Sequence, residues 1–247
     1  CLNVGCIPSK ALLHAARVIE ETHEMRPHGI DFGDPVINVV QLRKWKEKVV
    51  GQLTGGLAGL AKKRRVEVIT GIGEFTSSHT ISIRGSAGER TVRFSQAIIA
   101  AGSQAIALPG LPEDPRIIDS TGALALDHIP DHLLVIGGGI IGLELATVFR
   151  ALGSQVNIVE MSSQLIPGAD PDLVKPLAKR LAKQCDGIYL NTRVISAQPR
   201  DNGLLVSFAA DNTPTRNRYD AVLVAVGRTP NGHHINAPAA GVAVDEQ

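Results

Sequence analysis

Apolar residues recur at helical spacing through the first part of the chain. Leu12, Ala15, Ala16 and Ile19 fall on one face of a segment covering residues 7–25, and Pro8 suits its first turn. Pro27, Gly29, Gly33 and Pro35 interrupt the pattern. Val39, Leu42, Val49, Leu53, Leu57 and Leu60 resume it, predicting a second helix over residues 38–64. Gly51, Gly55, Gly56 and Gly59 lie inside that helix, where an exposed glycine costs about 1 kcal/mol against alanine. Close packing against a backbone or ligand would account for them, and so would a break in the helix.

The period then shortens to that of strands. Residues 66–69, 80–83 and 91–94 are short, separated by Gly and Ser turns, and residues 97–101 form a continuous apolar run that predicts a buried strand. Pro109, Gly110, Pro112 and Pro115 mark a crossing between domains. A strand at 133–136, a helix at 140–152 stopped by Gly153 and a strand at 156–159 follow as a βαβ unit. A helix over 171–185 and strands at 188–195, 204–209 and 219–227 complete the pattern, which is that of an α/β fold. Ile98-Ile99-Ala100-Ala101-Gly102-Ser103 echoes Leu223-Val224-Ala225-Val226-Gly227-Arg228. The two runs bracket the βαβ unit, as they would if one domain were nested inside another.

The turn of that unit carries the chemistry. Gly137-Gly138-Gly139-Ile140-Ile141-Gly142 fits G-x-G-x-x-G and lies between an apolar strand and an apolar helix, the context a dinucleotide site needs. Gly137 allows the tight turn, Gly139 the approach of a pyrophosphate, and Gly142 close packing of helix on strand. The helix N-terminus adds free N–H groups and partial positive charge. Glu160 ends the second strand, where an acid accepts from a ribose 2′-hydroxyl and repels a 2′-phosphate. No Arg or Lys follows until Lys175, which favours NAD over NADP.

Composition narrows the alternatives. The 247 residues are 44% hydrophobic and 20% charged, with 25 basic and 24 acidic side chains and a net charge of +1. That balance gives no broad attraction to nucleic acid or anionic membrane. Aromatics at 3% leave few rings for base stacking, and no apolar run approaches the roughly 20 residues of a membrane helix. Three cysteines do not make a disulfide-stapled scaffold. The first residue is Cys1 rather than Met, so the chain reads as an internal piece or a processed product, and residues 242–247 read as a strand entering a turn.

Cys1 and Cys6 give C-x4-C, which is not a zinc spacing, and none of the eight histidines completes a metal-ligand set, so no metal site is expected. Lys10 follows Cys6 closely and Pro8 marks a helix start, a setting that lowers a thiol's pKa. Spacing alone leaves two readings, a redox pair or two buried structural thiols. Cys185 stands alone and reads as an apolar filler; the basic runs at residues 43–48 and 62–65 read as solvated helix faces.

Cys1-Leu2-Asn3-Val4-Gly5-Cys6-Ile7-Pro8-Ser9-Lys10 resembles the redox-active segment of the pyridine nucleotide–disulfide oxidoreductases. Gln52–Leu57, Ile98–Ser103, Gly137–Glu144 and Gly227-Arg228-Thr229-Pro230-Asn231 resemble the same family in the same order, over essentially the whole chain. The version with Leu2 and Ile7-Pro8-Ser9-Lys10 is closest to the branch that oxidises dihydrolipoamide. The resemblance implies a Rossmann-like nicotinamide domain (residues 107–231) nested within a partial FAD-binding domain (residues 1–106 and 232–247). It implies that Cys1 and Cys6 cycle as a redox disulfide, Cys1 exchanging with lipoyl sulfur and Cys6 facing the flavin. Lys10 would stabilise reduced flavin, and Glu144 would pair with Lys10. Lys10, Gly73, through its backbone, and Ser103 would contact cofactor, while Gly137, Gly138, Gly139, Ile140, Ile141, Gly142, Glu160, Val194 and Gly227 would line the NAD site. FAD and NAD are the implied cofactors. The implied partners are lipoyl domains of 2-oxoacid dehydrogenase complexes and a second copy in a homodimer, in bacterial cytoplasm or mitochondrial matrix. The family's first flavin glycine motif and its interface domain with a catalytic His-Glu pair are not in this sequence. The alternatives are an inactive nucleotide-binding fragment and a disulfide reductase of the mercuric or glutathione type.

Overall fold

The computed structural model describes residues 1–86, 88–209 and 216–245. In chain order its elements are α1 (Cys6–Glu24), α2 (Val39–Lys63), β1 (Ile72–Ser77), β2 (Thr80–Gly85), β3 (Gly88–Arg93), β4 (Ser103–Ala105), β5 (Ile117–Ile118), α3 (Ser120–Ala125), β6 (His132–Ile136), α4 (Ile140–Ala151), β7 (Gln155–Val159), α5 (Pro171–Gln184), β8 (Gly187–Tyr189), β9 (Arg193–Arg200), β10 (Gly203–Ala209), β11 (Arg216–Tyr219), β12 (Ala221–Val224) and β13 (Arg228–Pro230). Three short 3₁₀ turns complete the set. Contacts divide the chain into one compact unit of residues 1–55 and 106–227 and another of residues 56–105 and 228–247. Residues 246 and 247 lie outside the described residues.

The first unit is built on a five-stranded sheet in the order β5-β12-β6-β7-β8, and every neighbouring pair in it is parallel. Parallel strands joined through helices are buried on both faces, which is why β6 and β12 are apolar throughout (Leu133 to Ile136; Ala221 to Val224). One face packs with α3, α4 and α5 around Leu133, Val135, Leu145, Val148, Ile158 and Leu223. The other face holds Leu134, Val159, Val222 and Val224 against the antiparallel sheet β11-β10-β9, through Val206, Phe208 and Tyr219. Tyr219 brings a hydroxyl into that layer; it donates to Asn157 Oδ1 at 3.1 Å, and burial pushes its pKa up to about 12.

Helix α1 adds to the first face by packing on α4. Its buried residues are Pro8, Ser9, Ala11, Leu12 and Ala16, mostly small, so the two helices approach closely. Ser9 Oγ donates to Glu144 Oε2 at 2.6 Å near the start of both helices, and Arg150 lies 3.6 Å from Glu20 further along, so the helices run in the same sense. Glu20 also accepts from Arg180 at 2.7 Å and from Gln184, which ties α1 to α5. Cys185 packs half-buried beside this core, and burial pushes its thiol up to about 11.

The second unit contains the antiparallel sheet β1-β2-β3 and the pair β4-β13. Here the structure departs from the expected strands. Residues 66–69 and 97–101 belong to no strand, and Ile98 is 97% exposed rather than buried. A strand needs a neighbour for its N–H and C=O groups, and no described residue supplies one. The first strand forms instead at Ile72–Ser77, where β2 offers a partner in register from Ile72↔Arg84 to Phe75↔Ile81. Helix α2 runs unbroken through its four glycines, and no atom lies within 4 Å of where a Cβ would stand on Gly51, Gly55, Gly56 or Gly59. A break therefore does not account for them, and no described residue packs closely on them.

The connection before β5 is fixed by charge. Asp114 accepts from Arg116 Nε at 2.8 Å, Nη2 at 2.7 Å and the Arg116 backbone N–H at 2.9 Å. Arg116 Nη1 also donates to the Arg200 carbonyl at the end of β9. These bonds hold the Asp114 carboxyl at about 2, below its usual 3.8, with the Arg116 side chain the largest cause. A carboxylate depressed in the folded state stabilises it above the ordinary pKa and loses that contribution as pH falls through the window from 3.8 to about 2. Asp114→Asn should flatten the fall in thermal midpoint across that window, measured by melts at successive pH values.

Candidate functional site

The N-terminus of α1 carries a disulfide. Cys1 and Cys6 are bonded, with their Cα atoms 4.6 Å apart. The Cys1 carbonyl accepts from Ile7 N–H and the Gly5 carbonyl from Ser9 N–H, both at 3.1 Å, so the loop closes onto the first turn of the helix. A Cβ on Gly5 would stand 3.1 Å from Cys1 Cα, tighter than ordinary contact. Cys1 is exposed and Cys6, the first residue of the helix, is half-buried. The reading as two buried structural thiols is thereby set aside. A sulfur at the first helical position faces unpaired N–H groups and the positive end of the helix dipole, which favours thiolate.

Lys10 and Glu144 do not form the expected ion pair among the described residues; Glu144 takes its hydrogen bond from Ser9 instead. Ser9 and Lys10 are neighbours on α1 and point about 100° apart around it. Ser9, 5% exposed, faces α4, and Lys10 turns to solvent.

The glycine loop runs from the end of β6 into α4. Gly137 has φ +108, a left-handed conformation that favours glycine, and a Cβ there would strike the Ala225 carbonyl just beyond β12. Gly142 lies against the Gly137 carbonyl and Val135, so a side chain would push α4 off β6. Nothing lies within 4 Å of a Cβ on Gly139, which leaves open space where a pyrophosphate would approach. The Gly139 carbonyl starts α4 by accepting from Leu143 N–H at 3.0 Å; Ile140 is 63% exposed and Ile141 half-buried at the helix start. Gly227, with φ +136, accepts from Ile106 N–H at 3.2 Å.

Glu160, 8% exposed, lies beside this loop. Its Oε2 accepts from Gly138 N–H and its Oε1 from Ser162 N–H, both at 2.7 Å. Each oxygen keeps a second lone pair for a ligand hydroxyl. Its backbone is pinned on both sides, the N–H donating to Tyr189 and the carbonyl accepting from Thr192. Val194 follows on β9, half-buried against the second core. Open space at Gly139, the free N–H groups of α4 and a fixed carboxylate together fit the adenosine half of a dinucleotide.

Gly73 and Ser103 belong to the second unit. Gly73 lines a cavity of about 200 Å³ with Phe75, Ile81, Ile235 and residues 97–101, an apolar surface that suits a flat ring. Ser103 Oγ accepts from Arg228 Nε at 2.8 Å, and Asn231 Nδ2 donates to the Ala101 carbonyl at 3.0 Å. In the first unit the structure brings Cys1 to Cys6 and Gly138 to Glu160. It also shows residues that sequence reasoning passed over: Ser9, Ser162, Leu165 and Ile166. Leu165-Ile166 is an apolar pair inside a polar loop, a signal that pattern alone offered. No cluster of His, Cys, Asp or Glu that could hold a metal ion is found among the described residues, and no described helix is long and apolar enough to cross a membrane.

A sequence profile described as pyridine nucleotide-disulphide oxidoreductase matches residues 1–247. The chain is 53% identical over 249 aligned residues to dihydrolipoyl dehydrogenase of Vibrio cholerae and 52% identical to that of Haemophilus influenzae, covering 100% of this chain and 52% of each relative. It thus spans about half the length of the curated relatives it matches. Among solved structures it is similar to the HOCl-induced flavoprotein disulfide reductase RclA of Escherichia coli in its Cu(II) complex, at 32% identity and a TM-score of 0.82, over 100% of this chain and 52% of that one.

Gly142→Ala should cost about 1–3 kcal/mol, the range for overpacking a close contact, and should weaken nucleotide binding by tilting α4. Urea unfolding and a nucleotide titration on the same preparation would measure both effects.

Proposed function

The chain belongs to the pyridine nucleotide-disulphide oxidoreductase family, and we propose that its full-length protein oxidises dihydrolipoyl groups with NAD as acceptor, through the Cys1–Cys6 disulfide and bound FAD. The observation that carries this reading is a disulfide at the N-terminus of a helix that packs, in the same sense, on the helix opening from the glycine loop. The relatives at 52–53% identity are named dihydrolipoyl dehydrogenase.

Cys1 is the exposed sulfur, and a substrate thiolate attacks it. The Cys1–Cys6 bond breaks and its electron pair leaves on Cys6, where the helix N-terminus stabilises the thiolate. The second substrate thiol, once deprotonated, displaces Cys1 and closes the substrate disulfide. FAD and NAD, when bound, would supply the two-electron transfer by which the Cys1–Cys6 bond re-forms. Overall, one dithiol and one NAD⁺ become one disulfide, one NADH and one proton.

Gly137 to Gly142, Glu160, Val194 and Gly227 would hold NAD, the buried Glu160 carboxylate selecting the 2′-hydroxyl. Lys10, Gly73 and Ser103 would contact FAD, and Glu144, through Ser9, would hold α1 in place. Residues 107–231 would form the NAD-binding domain, and residues 1–106 and 232–247 would join the FAD-binding domain. That division follows the cofactors, whereas the compact units follow packing and place residues 1–55 with 106–227. The protein would act as a cytoplasmic homodimer on lipoyl domains of 2-oxoacid dehydrogenase complexes.

The full-length protein should turn over faster with dihydrolipoamide and NAD⁺ than with glutathione disulfide and NADPH; the reverse order would overturn the proposal. Cys1→Ser and Cys6→Ser should each reduce dithiol oxidation to background while NAD⁺ binding persists. After reduction, iodoacetamide should label the exposed Cys1 before Cys6, as read by peptide mass.

A further inference from the structure

Gly138, the central residue of the glycine loop, has both backbone groups bonded to the segment that follows β7. Its N–H donates to Glu160 Oε2 at 2.7 Å, and its carbonyl accepts from Ile166 N–H at 2.8 Å. Leu165, 2% exposed, fills the space beside it. A Cβ on Gly138 would stand 2.6 Å from Leu165 Cδ2 and 3.1 Å from Glu160 Cβ. So Gly138 is bare because a neighbouring side chain and the acid itself occupy the space.

Ile166 completes the enclosure at a conformational cost. Its φ is +46, in the left-handed region, where a β-branched residue is strained. It also precedes Pro167, which favours extended backbone at the residue before it. Such a conformation persists where surrounding contacts over-determine it. Here those contacts are the bond to Gly138, the bond from Ala169 N–H to the Ile166 carbonyl at 3.1 Å, and the burial of Leu165.

We propose that Leu165 and Ile166 are positioning residues for nucleotide recognition: they clamp Gly138, hold the Glu160 carboxylate in one orientation, and so set the preference for a ribose 2′-hydroxyl over a 2′-phosphate. This rests on the reading of the glycine loop as an NAD site. A carboxylate free to rotate away would lose its bond to the hydroxyl and relax its repulsion of a phosphate. One held by Gly138 and Ser162 does neither.

The test uses the full-length protein. Gly138→Ala should raise the Kd for NAD⁺ and lower the ratio of Kd values for NADP⁺ and NAD⁺, each by about tenfold, the size of one lost hydrogen bond to a charged group. Adding Leu165→Ala should make room for the methyl group and recover part of both. Hydrogen exchange at the Gly138 and Ile166 amides, followed without nucleotide, should speed up in Gly138→Ala and slow again in the double variant. Leu165→Ala alone serves if Gly138→Ala does not fold: it removes the side chain packed on Gly138, and discrimination between NAD⁺ and NADP⁺ should narrow. A wild-type Kd ratio in Gly138→Ala or Leu165→Ala, or no recovery in the double variant, would overturn the clamp and leave the NAD reading standing. Equal binding of NAD⁺ and NADP⁺ by the wild-type protein would overturn the reading of Glu160 and the clamp's role in specificity with it.

Discussion

Two helices lying side by side in the same sense bring the disulfide and the glycine loop to one end of the pair. Helix α1 opens at Cys6 and helix α4 opens at the glycine loop, so the positive ends of both dipoles are at one end of the pair. In the proposed reaction one end would stabilise sulfur as thiolate, the other the phosphates of a dinucleotide. The bond from Ser9 to Glu144 keeps the two starts together, and Glu20, held by Arg150, Arg180 and Gln184, keeps the later turns from sliding. Small residues on α1 make the approach possible, and the parallel sheet beneath α4 makes it rigid.

The parallel sheet is also why the nucleotide half was legible in the sequence. Strand, glycine turn, helix and strand follow each other within residues 132–159, and each local signal agrees with its neighbours. Apolar runs predict buried strands there because each strand has a parallel neighbour on both sides, β6 between β12 and β7, and β7 between β6 and β8. The same rule misled for residues 97–101. Their composition is that of a buried strand, but composition states only that a segment is fit for burial. Whether it is buried depends on a partner, and Ile98 stands 97% exposed. Residues 66–69 show the same outcome for the same reason, while residues 72–77, less apolar, form a strand because β2 lies next to them.

The site was legible by residue type and less so by pairing. C-x4-C gave the two sulfurs, and the helix signal after them placed Cys6 at a helix start. Spacing could not say which residue of α1 meets Glu144, because Ser9 and Lys10 differ by one position and about 100° of rotation. Ser9 faces inward since a hydroxyl can be buried with a single partner, and the charged amine of Lys10 stays in water.

Glu160 shows how a buried acid can remain available for recognition. An ionised carboxylate taken out of water needs hydrogen bonds, and two backbone N–H groups, from Gly138 and Ser162, provide them without adding a counter-charge. A lysine or arginine in their place would satisfy the acid equally well, but it would also neutralise the charge that repels a 2′-phosphate. Backbone donors add no counter-charge and fix the carboxylate's direction. On the proposed reading Leu165, Ile166 and the glycine loop form one device: the loop would bend toward a nucleotide, and the segment after β7 supplies an acid that the same bend holds still.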